Sequence, residues 1–344
     1  MSILAELEEI VEIFEIIMQS VILMLMPFAI ANAIGYKKEE VPPAPEEVWY
    51  EIIIDNSANS NDLTDYQVLL TITGDAQFFS DCNDDDKVIE IYDEDKATLI
   101  PFYVEEWDVA NKNARIWIKV PLIPANSIKK VYLKVNPSRT ESLSNPYNVF
   151  IRFDDFEDYN VGDPPSIDKG WEVIDGDPVI VSDGYEGKGL ELENTSTRDT
   201  VQLNLNGYFR GVVVHFRWKI DGLDLRNGSY NFMEDSTYIV SALKTNGVEK
   251  WLDSALNQHD FNPQLNYQVN VWHEYEYIFF ENNFKVRKDG VLYEGGIRVA
   301  VTQGVNICFW DTYSAGSYVH RYVIDNVYVR KYTEPEPTVT YNKL

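Results

Sequence analysis

The sequence predicts a mainly β protein, in which a long hydrophobic α-helix precedes two antiparallel β-sandwich domains. Three observations support this fold class. Apolar residues recur every three or four positions in the first 35 residues. From residue 47 onward, short runs alternate apolar and polar side chains between Asp, Asn, Gly and Pro, as in antiparallel sandwiches. The 22 tyrosines and eight tryptophans are typical of sandwiches that present aromatic surfaces.

Composition narrows the classes of function. The 344 residues suffice for two ordinary domains and an appendage. Lysine and arginine number 29 against 56 acidic residues, and the formal net charge of −27 disfavours nucleic acid as a partner. Cys82 and Cys308 fall in different predicted domains, which predicts neither a disulfide framework nor a zinc site.

Residues 1–35 have the heptad pattern of a helix that packs along a seam. Five glutamates lie off the seam, all in the first half, and 19 uncharged residues follow from Ile16 to Ile34. We predict that the seam is an assembly surface, and it consists of Ile3, Leu7, Ile10, Phe14, Ile17, Val21, Met24 and Phe28.

Several roles for this helix remain open. A transmembrane anchor would be just long enough, because 19 residues at about 1.5 Å each span a hydrocarbon core of roughly 30 Å. The continuous heptad equally favours helices that pack against copies of themselves. A helix docked on its own domain is the simplest alternative. A secretory signal peptide is disfavoured because no basic region precedes the apolar run.

A proline-rich spacer, residues 36–46, separates the helix from the first predicted domain, residues 47–137. Pro42, Pro43 and Pro45 cannot continue a helix, and they predict a stiff, extended segment. Period-two runs then predict six strands, which are WYEIII, YQVLLTI, VIEIY, PFYVE, ARIWIKV and KVYLKV.

The same region resembles a known family. The runs NSANSNDLTDYQVLLTI, IEIYDEDKATLIPFYVEEWD and ARIWIKVPLIPANSIKKVYLKV are similar to domain of unknown function 2341. That β-sandwich family recurs in surface proteins of archaea and bacteria, so the resemblance implies a sandwich fold and an extracellular context. It implies no catalytic residues, since none are established for the family.

A polar linker, residues 138–148, leads to the second predicted domain, residues 149–331. Its marks are an opening FDDFE, a DGYEGKGLEL run, a WHEYEY strand, a KDGVLY hairpin and a closing IDNVYV. Together they resemble a concanavalin-type jelly roll of the laminin-G-like kind, a fold that hosts lectins, hydrolases and structural modules alike. The tail, residues 332–344, is predicted to be a loose terminus or a strand that pairs with a neighbouring subunit.

Enzymatic chemistry finds little support in the sequence. Glycoside hydrolysis needs two carboxylates about 5–9 Å apart across a cleft. Glu274 and Glu276 share one face of a predicted strand, but no third acid extends the pattern, so solvated carboxylates explain them better. The four histidines lack ligand spacing, and nucleophile and phosphate-binding motifs are absent. We therefore expect a protein that is not an enzyme, and polysaccharide cleavage is the least favoured alternative.

Calcium is the expected cofactor. Jelly rolls of the kind that the second domain resembles often hold an ion where the first strand meets the last. This resemblance implies Asp155, Glu157 and Asp325 as hard oxygen ligands for calcium. Carboxylates that face water or shape a bend are the alternative for these residues.

Carbohydrate binding would require exposed aromatic side chains with polar neighbours. Tryptophans and tyrosines in loops or at strand ends are the natural candidates, although a place in the core is the commoner position for any one of them. The candidates for such a platform are Trp251, Trp310 and Tyr313.

These observations predict a structural or adhesive protein of a cell or virion surface. Its helix would assemble with copies of itself into a pilus-like filament, or anchor in membrane lipid as a spike, and the two sandwiches would be displayed outside. This layout resembles archaeal type-IV-filament subunits, although their basic cleavage site is absent. The alternative is a tethered, lectin-like protein that binds surface glycans.

Overall fold

The described part of the chain is mainly β, as predicted. The computed structural model describes residues 15, 17–19, 47–193, 199–204, 211–221, 230–234, 240–243, 248–252, 257–266, 268–280, 283–297, 306–311 and 321–344. Contacts divide the chain into two units, residues 1–46 and residues 47–344. Both sandwiches belong to the second unit.

Strands account for most of the described elements of the second unit, and two short α-helices and two 3-10 helices, Asp86–Val88 and Ile167–Lys169, accompany them. The α-helices are α1 (Ala76–Asp81) and α2 (Pro146–Val149). The first strands are β1 (Val48–Asp55), β2 (Leu63–Ile72), β3 (Ile89–Tyr92), β4 (Phe102–Asp108), β5 (Asn113–Ile123) and β6 (Ile128–Val135). The next are β7 (Arg152–Asp154), β8 (Trp171–Asp175), β9 (Val179–Val181), β10 (Gly189–Glu193), β11 (Thr200–Asn204), β12 (Val212–Asp221), β13 (Tyr230–Glu234) and β14 (Val240–Leu243). The last are β15 (Val248–Leu252), β16 (Gln258–Asn266), β17 (His273–Phe280), β18 (Asn283–Lys288), β19 (Val291–Ile297), β20 (Asn306–Asp311), β21 (Arg321–Lys331) and β22 (Thr338–Lys343).

The first sandwich packs a four-stranded sheet, ordered β22-β1-β6-β3, on a three-stranded sheet, ordered β2-β5-β4. Strand alternation places Ile52, Val131 and Leu133 on the inner face of the larger sheet. Val68 and Ile118 face them from the smaller sheet, and each of the five side chains is at most 3% exposed. The period-two pattern of the sequence therefore builds an apolar core here.

The C-terminal tail completes this first sandwich. β22 pairs with β1 in antiparallel register, with Ile52 opposite Tyr341, and Leu344 N donates to Trp49 O at 2.9 Å. Val339 and Tyr341 alternate inward and pack against the core, which is the physical reason that the tail forms a strand. The second sandwich is thus inserted between β6 and β22, and both ends of the 47–344 unit lie side by side.

The second sandwich is built around a large sheet. Its strands run in the order β14-β15-β16-β19-β18-β17-β12-β21-β10-β9, and β7 also pairs with β21. A four-stranded sheet, ordered β13-β20-β11-β8, covers one face of it. The core between the two sheets is rich in aromatic side chains, among which Phe216, Tyr275 and Tyr277 stack on neighbouring strands.

A third apolar cluster, separate from the two sandwich cores, lies where the two sandwiches meet. Trp117 on β5 and Phe150 after α2 meet with their ring centroids 5.7 Å apart. Phe150 stacks in turn on Tyr328 of β21 at 4.3 Å, and Phe153 joins the same cluster. The outer face of the β2-β5-β4 sheet therefore packs on the outer face of the large sheet, which gives four β layers in succession.

The predicted N-terminal helix falls almost entirely outside the described residues. Glu15 and residues 17–19 are helical, and the side chain of Ile17 is 53% exposed. Among the described residues, no helix has both the length and the apolar character that crossing a bilayer requires. The proposed seam lies outside the described residues at Ile3, Leu7, Ile10, Phe14, Val21, Met24 and Phe28, so its assembly and anchoring roles stay predictions.

Candidate ligand-binding site

A cleft of about 300 Å³ lies where the two sandwiches meet. The β2-β5-β4 sheet forms one wall, the large sheet forms the other, and the segment before β22 closes one end. The side chains that line it are mostly polar or charged. They include Tyr66, Gln67, Arg115, Trp117, Glu274, Glu276, Arg287, Arg330 and Glu336.

Strand alternation explains why polar residues line this cleft. Arg115 and Trp117 lie two apart on β5, so they share its outer face, while Ile116 and Ile118 enter the core of the first sandwich. Gln67 lies on the same face of the neighbouring β2, opposite Lys119, and its Nε2 donates to Val149 O at 2.8 Å. On the cleft side, the outer face of this sheet therefore presents polar side chains to the second sandwich.

Arg330 is the central cation of the cleft. Its side chain is 3% exposed, and its guanidinium carbon lies 5.0 Å from the ring centroid of Trp117, a cation–π distance. Nη1 donates to Glu336 Oε1 at 2.5 Å, and Nη2 donates to Glu276 Oε1 at 3.4 Å. Its Nε has no acceptor among the residues that the structure describes, so the side chain keeps one unused donor.

Two carboxylates of the cleft, Glu274 and Glu276, are held ionised. Burial alone would raise the pKa of Glu276, but the charges of Arg330 and Arg287 outweigh it and leave the pKa below its usual value. The hydrogen bond from His215 lowers the pKa of Glu274 to about 2 against the effect of burial, and Arg115 adds to the lowering. Neither carboxyl can therefore serve as a proton donor near neutral pH.

A smaller polar recess lies beside the cleft. His215 is buried there, with Nε2 3.1 Å from Glu274 Oε1 and Nδ1 3.0 Å from Asn326 O. Its ring stacks on Tyr328 at 4.1 Å, and the Tyr328 hydroxyl donates to Glu105 Oε1 at 3.2 Å. These contacts fix the carboxylates and aromatic rings on both sides of the junction.

The charges of the cleft lining are nearly balanced. Arg115, Arg287 and Arg330 face three carboxylates, so the lining is close to neutral in charge. Glu274 and Glu276 have lowered pKa values. The guanidinium groups of the walls can donate hydrogen bonds in pairs, and the carboxylates can accept them in pairs. Both kinds of group lie next to aromatic side chains.

The residues predicted to bind calcium lie together but contact backbone. Asp325 Oδ2 accepts from Glu186 N at 3.0 Å, and Glu157 Oε1 accepts from Lys188 N at 2.6 Å, so both hold the same loop. Asp155 Oδ1 accepts from Glu157 N at 3.3 Å. Among the described residues, no group of three or more His, Cys, Asp or Glu side chains is arranged to hold a metal ion.

Of the three residues of the predicted aromatic platform, only Trp251 has its side chain among the described residues. Trp251 is half-buried, stacks on His259 at 4.2 Å and donates from Nε1 to Asp260 O at 3.3 Å. Trp310 lies on β20, and its side chain lies outside the described part, as does Tyr313. Whether these three residues form a glycan platform stays a prediction.

None of the residues that line the cleft was predicted from the sequence to form a site. Glu274 and Glu276 were interpreted as solvated carboxylates, and this interpretation was wrong for Glu276, whose exposure is 8%. Arg115 and Arg330 stand at polar positions of period-two strands, which a single sheet would present to water. They can be recognised as cleft residues only once it is known that the sheets of the two sandwiches pack against each other at these positions.

A family model matches part of the chain. Residues 81–173 match the Domain of unknown function (DUF2341). The match confirms the resemblance seen in the sequence, although it begins and ends later than the predicted first domain and extends to β8. No curated protein matches the sequence.

Several solved structures are similar to the chain over part of its length. A sialidase is 15% identical with a TM-score of 0.39, over 59% of this chain and 20% of that protein. A structure from work on endo-acting O-glycanases that prominent gut microbiota members express to initiate mucin breakdown is 14% identical, with a TM-score of 0.39, over 54% of this chain and 100% of that one. The botulinum neurotoxin serotype D binding domain is 16% identical with a TM-score of 0.36, over 52% and 45%. The chain thus spans a fifth of the sialidase and less than half of the toxin domain.

Proposed function

We propose that residues 47–344 form a glycan-binding headpiece of a surface protein, and that the cleft between the two sandwiches holds a neutral saccharide. The observation that carries the proposal is the charge-balanced, aromatic-walled cleft of about 300 Å³ at the junction of the two sandwiches. Clefts that bind small ligands have volumes from about 300 Å³ upward and lie preferentially between domains.

A neutral ligand fits the charges of this cleft. Each arginine already faces a carboxylate, so an anionic ligand would be repelled by Glu276 and Glu336 as strongly as Arg330 attracts it. Hydroxyl groups both donate and accept, and therefore suit walls that alternate guanidinium and carboxylate groups. The low pKa values of Glu274 and Glu276 favour binding without cleavage.

A structural role in display is the second candidate. The insertion of one sandwich into the other, together with the Trp117–Phe150–Tyr328 cluster, favours a stiff headpiece. Both ends of the 47–344 unit meet at β1 and β22, so the spacer and the preceding segment join the headpiece at one point. Such a layout suits a protein that is displayed from a cell or virion surface by self-association or anchoring of its N-terminal segment.

Binding by the full chain to neutral oligosaccharides tests the glycan proposal. A glycan array identifies the tightest neutral ligand, and calorimetry then compares the wild type with Arg287→Met. Arg287 is about one-third exposed in the cleft and pairs with Glu276, so we expect at least a tenfold weaker affinity.

Lys285→Met is the matched control for that experiment. Lys285 lies two residues away on the same strand and pairs with Glu334 at 2.9 Å, but it does not line the cleft. Its loss should leave the affinity unchanged. Absence of any bound neutral glycan, or equal weakening by the two variants, would refute a binding site in the cleft.

A further inference from the structure

The outer face of the β22-β1-β6-β3 sheet is unusually aromatic. Trp49 on β1, Tyr132 on β6 and Tyr92 on β3 all alternate away from the core, and all are half-buried. Tyr92 lies directly opposite Tyr132, and Trp49 lies opposite Lys134. The outer face of a two-layer sandwich is ordinarily polar, because water covers it.

The three aromatic side chains lie close enough to form one surface. The ring centroids of Trp49 and Tyr92 are 5.5 Å apart with an interplanar angle of 45°. The exposed side chains of Thr340 and Asn342 on β22 face the same side of the sheet as Glu51 on β1. Aromatic surface beside hydrogen-bonding side chains is the arrangement that saccharide rings require.

Lys96 extends over these rings. Its Nζ lies 4.2 Å from the ring centroid of Tyr132 and 5.5 Å from that of Trp49. We call Trp49, Tyr92, Tyr132 and Lys96 the aromatic–lysine face. Lys96 is exposed and lies at the end of the hairpin-like segment that follows β3.

The turn that carries Lys96 is fixed by hydrogen bonds. Asp95 Oδ1 accepts from Ala97 N at 2.9 Å and from Thr98 N at 2.8 Å, and Asp95 Oδ2 accepts from Thr98 Oγ1 at 2.6 Å. These bonds lower the pKa of Asp95 to about 2. Lys96 itself has a φ of 55°, a left-handed conformation that is uncommon for lysine, so the turn holds it in a defined place.

Lys96 differs from its neighbours in charge pairing. Lys130 pairs with Glu51 at 2.8 Å, and Lys134 pairs with Glu47 at 2.6 Å. In the part of the chain that the structure describes, Lys96 has no carboxylate partner.

We propose that the aromatic–lysine face is a second carbohydrate site, which binds an acidic saccharide of the uronic-acid class. The apolar face of the sugar ring packs on Trp49 and Tyr132, and the sugar carboxylate accepts from Lys96 Nζ. The long side chain of Lys96 can move off the Tyr132 ring while its backbone stays in place. This surface is separate from the cleft, so the proposal does not depend on the proposed function of the cleft.

The test uses two probes that differ only in charge. Calorimetry with the full chain at low salt compares tetragalacturonate with its fully methyl-esterified form. We expect the wild type to bind the acid form about fivefold more tightly, which is the strength of one exposed ion pair. The preference should fall as salt screens the charges.

Lys96→Met should abolish that preference and leave the ester affinity unchanged, and Trp49→Ala should weaken binding of both forms. Lys112→Met is the matched control, because Lys112 also lies over an aromatic ring, Phe79, but pairs with Asp84 at 2.7 Å. Lys96 is exposed, so its replacement leaves the fold intact. Equal affinity of the wild type for both forms, a preference that survives Lys96→Met, or no binding of either form would overturn the proposal.

Arg287→Met separates this site from the cleft. That substitution should weaken the neutral ligand of the cleft and leave tetragalacturonate binding unchanged. If Arg287→Met instead removes tetragalacturonate binding, the acid saccharide binds in the cleft, and the aromatic–lysine face is not its site.

Discussion

The two interiors of the 47–344 unit follow different physical rules. The core of the first sandwich is apolar, and side chains such as Ile52 and Leu133 are fully buried there without any polar partner to satisfy. The junction between the sandwiches buries Arg330 and Glu276 nearly as completely, and pairs them. The core of the first sandwich gains stability from the burial of apolar surface. At the junction, ion pairs and hydrogen bonds must compensate the desolvation of each buried charge.

This difference bears on the binding site that we propose. Well-packed apolar residues of similar volume often stabilise a site as much as buried ion pairs do. A junction that keeps Arg115, Arg330, Glu274 and Glu276 instead is therefore not explained by stability alone. The proposed binding of a polar ligand would account for them, because polar walls can exchange hydrogen bonds with such a ligand.

The largest expected difference between the two interiors concerns the loss of one charge. Arg330→Met leaves Glu276 and Glu336 near the junction without their main cation, so the free energy of unfolding should fall by about 3–5 kcal/mol. Urea unfolding monitored by tryptophan fluorescence measures it. The double variant Arg330→Met/Glu276→Gln should recover part of the loss, and a loss below 1 kcal/mol would mean that the ion pairs are not coupled to stability.

The next effect concerns pH and the carboxyl of Asp325. Burial raises its pKa to about 7, so the folded protein holds this proton more tightly than the unfolded chain does. Stability is therefore full below the unfolded pKa near 4, and falls by at most about 1.4 kcal/mol per pH unit as pH rises to about 7.

Asp325→Asn should remove that slope, as measured by unfolding midpoints between pH 4.5 and 7.5. The exposed Asp168→Asn is the control and should keep the slope of the wild type. An unchanged slope in Asp325→Asn would show that another group titrates in this range.

A conservative change in the apolar core should have a smaller effect. Ile52→Val removes one buried methylene from the first sandwich, so we expect a loss of about 0.5–1.5 kcal/mol. The equally conservative Arg330→Lys at the junction should cost more, because an ammonium group cannot bond Glu276 and Glu336 with the geometry of a guanidinium. Equal losses in urea unfolding would remove the distinction between the two interiors.

The smallest effect is expected for a charge pair at the surface. Lys112→Met breaks the exposed pair with Asp84 and should change the free energy of unfolding by only about 0.2–1 kcal/mol. Repeating the measurement in high salt should make the variant and the wild type alike. A loss in the free energy of unfolding above 2 kcal/mol that persists in high salt would mean that a surface ion pair outside the junction also stabilises the fold.

The sequence predicted the strands well and the site poorly, for a physical reason. Alternation along the chain predicted the strands that contain Ile52, Ile118 and Val131, and these side chains are buried in the core. The same pattern assigns Arg115 and Glu276 to water, because it contains no information about a second sheet on the other side. The inserted topology, with β22 beside β1, depends likewise on contacts between residues some 290 positions apart.

The predicted binding residues illustrate the same limit. Glu157 follows β7 and Asp325 lies on β21, and both side chains accept hydrogen bonds from backbone amides of the same loop, at Lys188 and Glu186. Trp49 and Tyr132 were interpreted as strand residues only, since a sequence pattern does not distinguish an exposed aromatic pair from a buried one. The ammonium of Lys96 lies over the Tyr132 ring because of the conformation of the turn that carries it, and the periodicity of apolar residues does not predict that conformation.

A crystal structure of the protein soaked with its tightest neutral oligosaccharide tests the central claim most directly. We expect sugar density in the cleft, with hydroxyls within hydrogen-bond distance of Arg287 and Glu276 and a ring beside Tyr66. Density at any other surface, with an empty cleft between the two sandwiches, would contradict it.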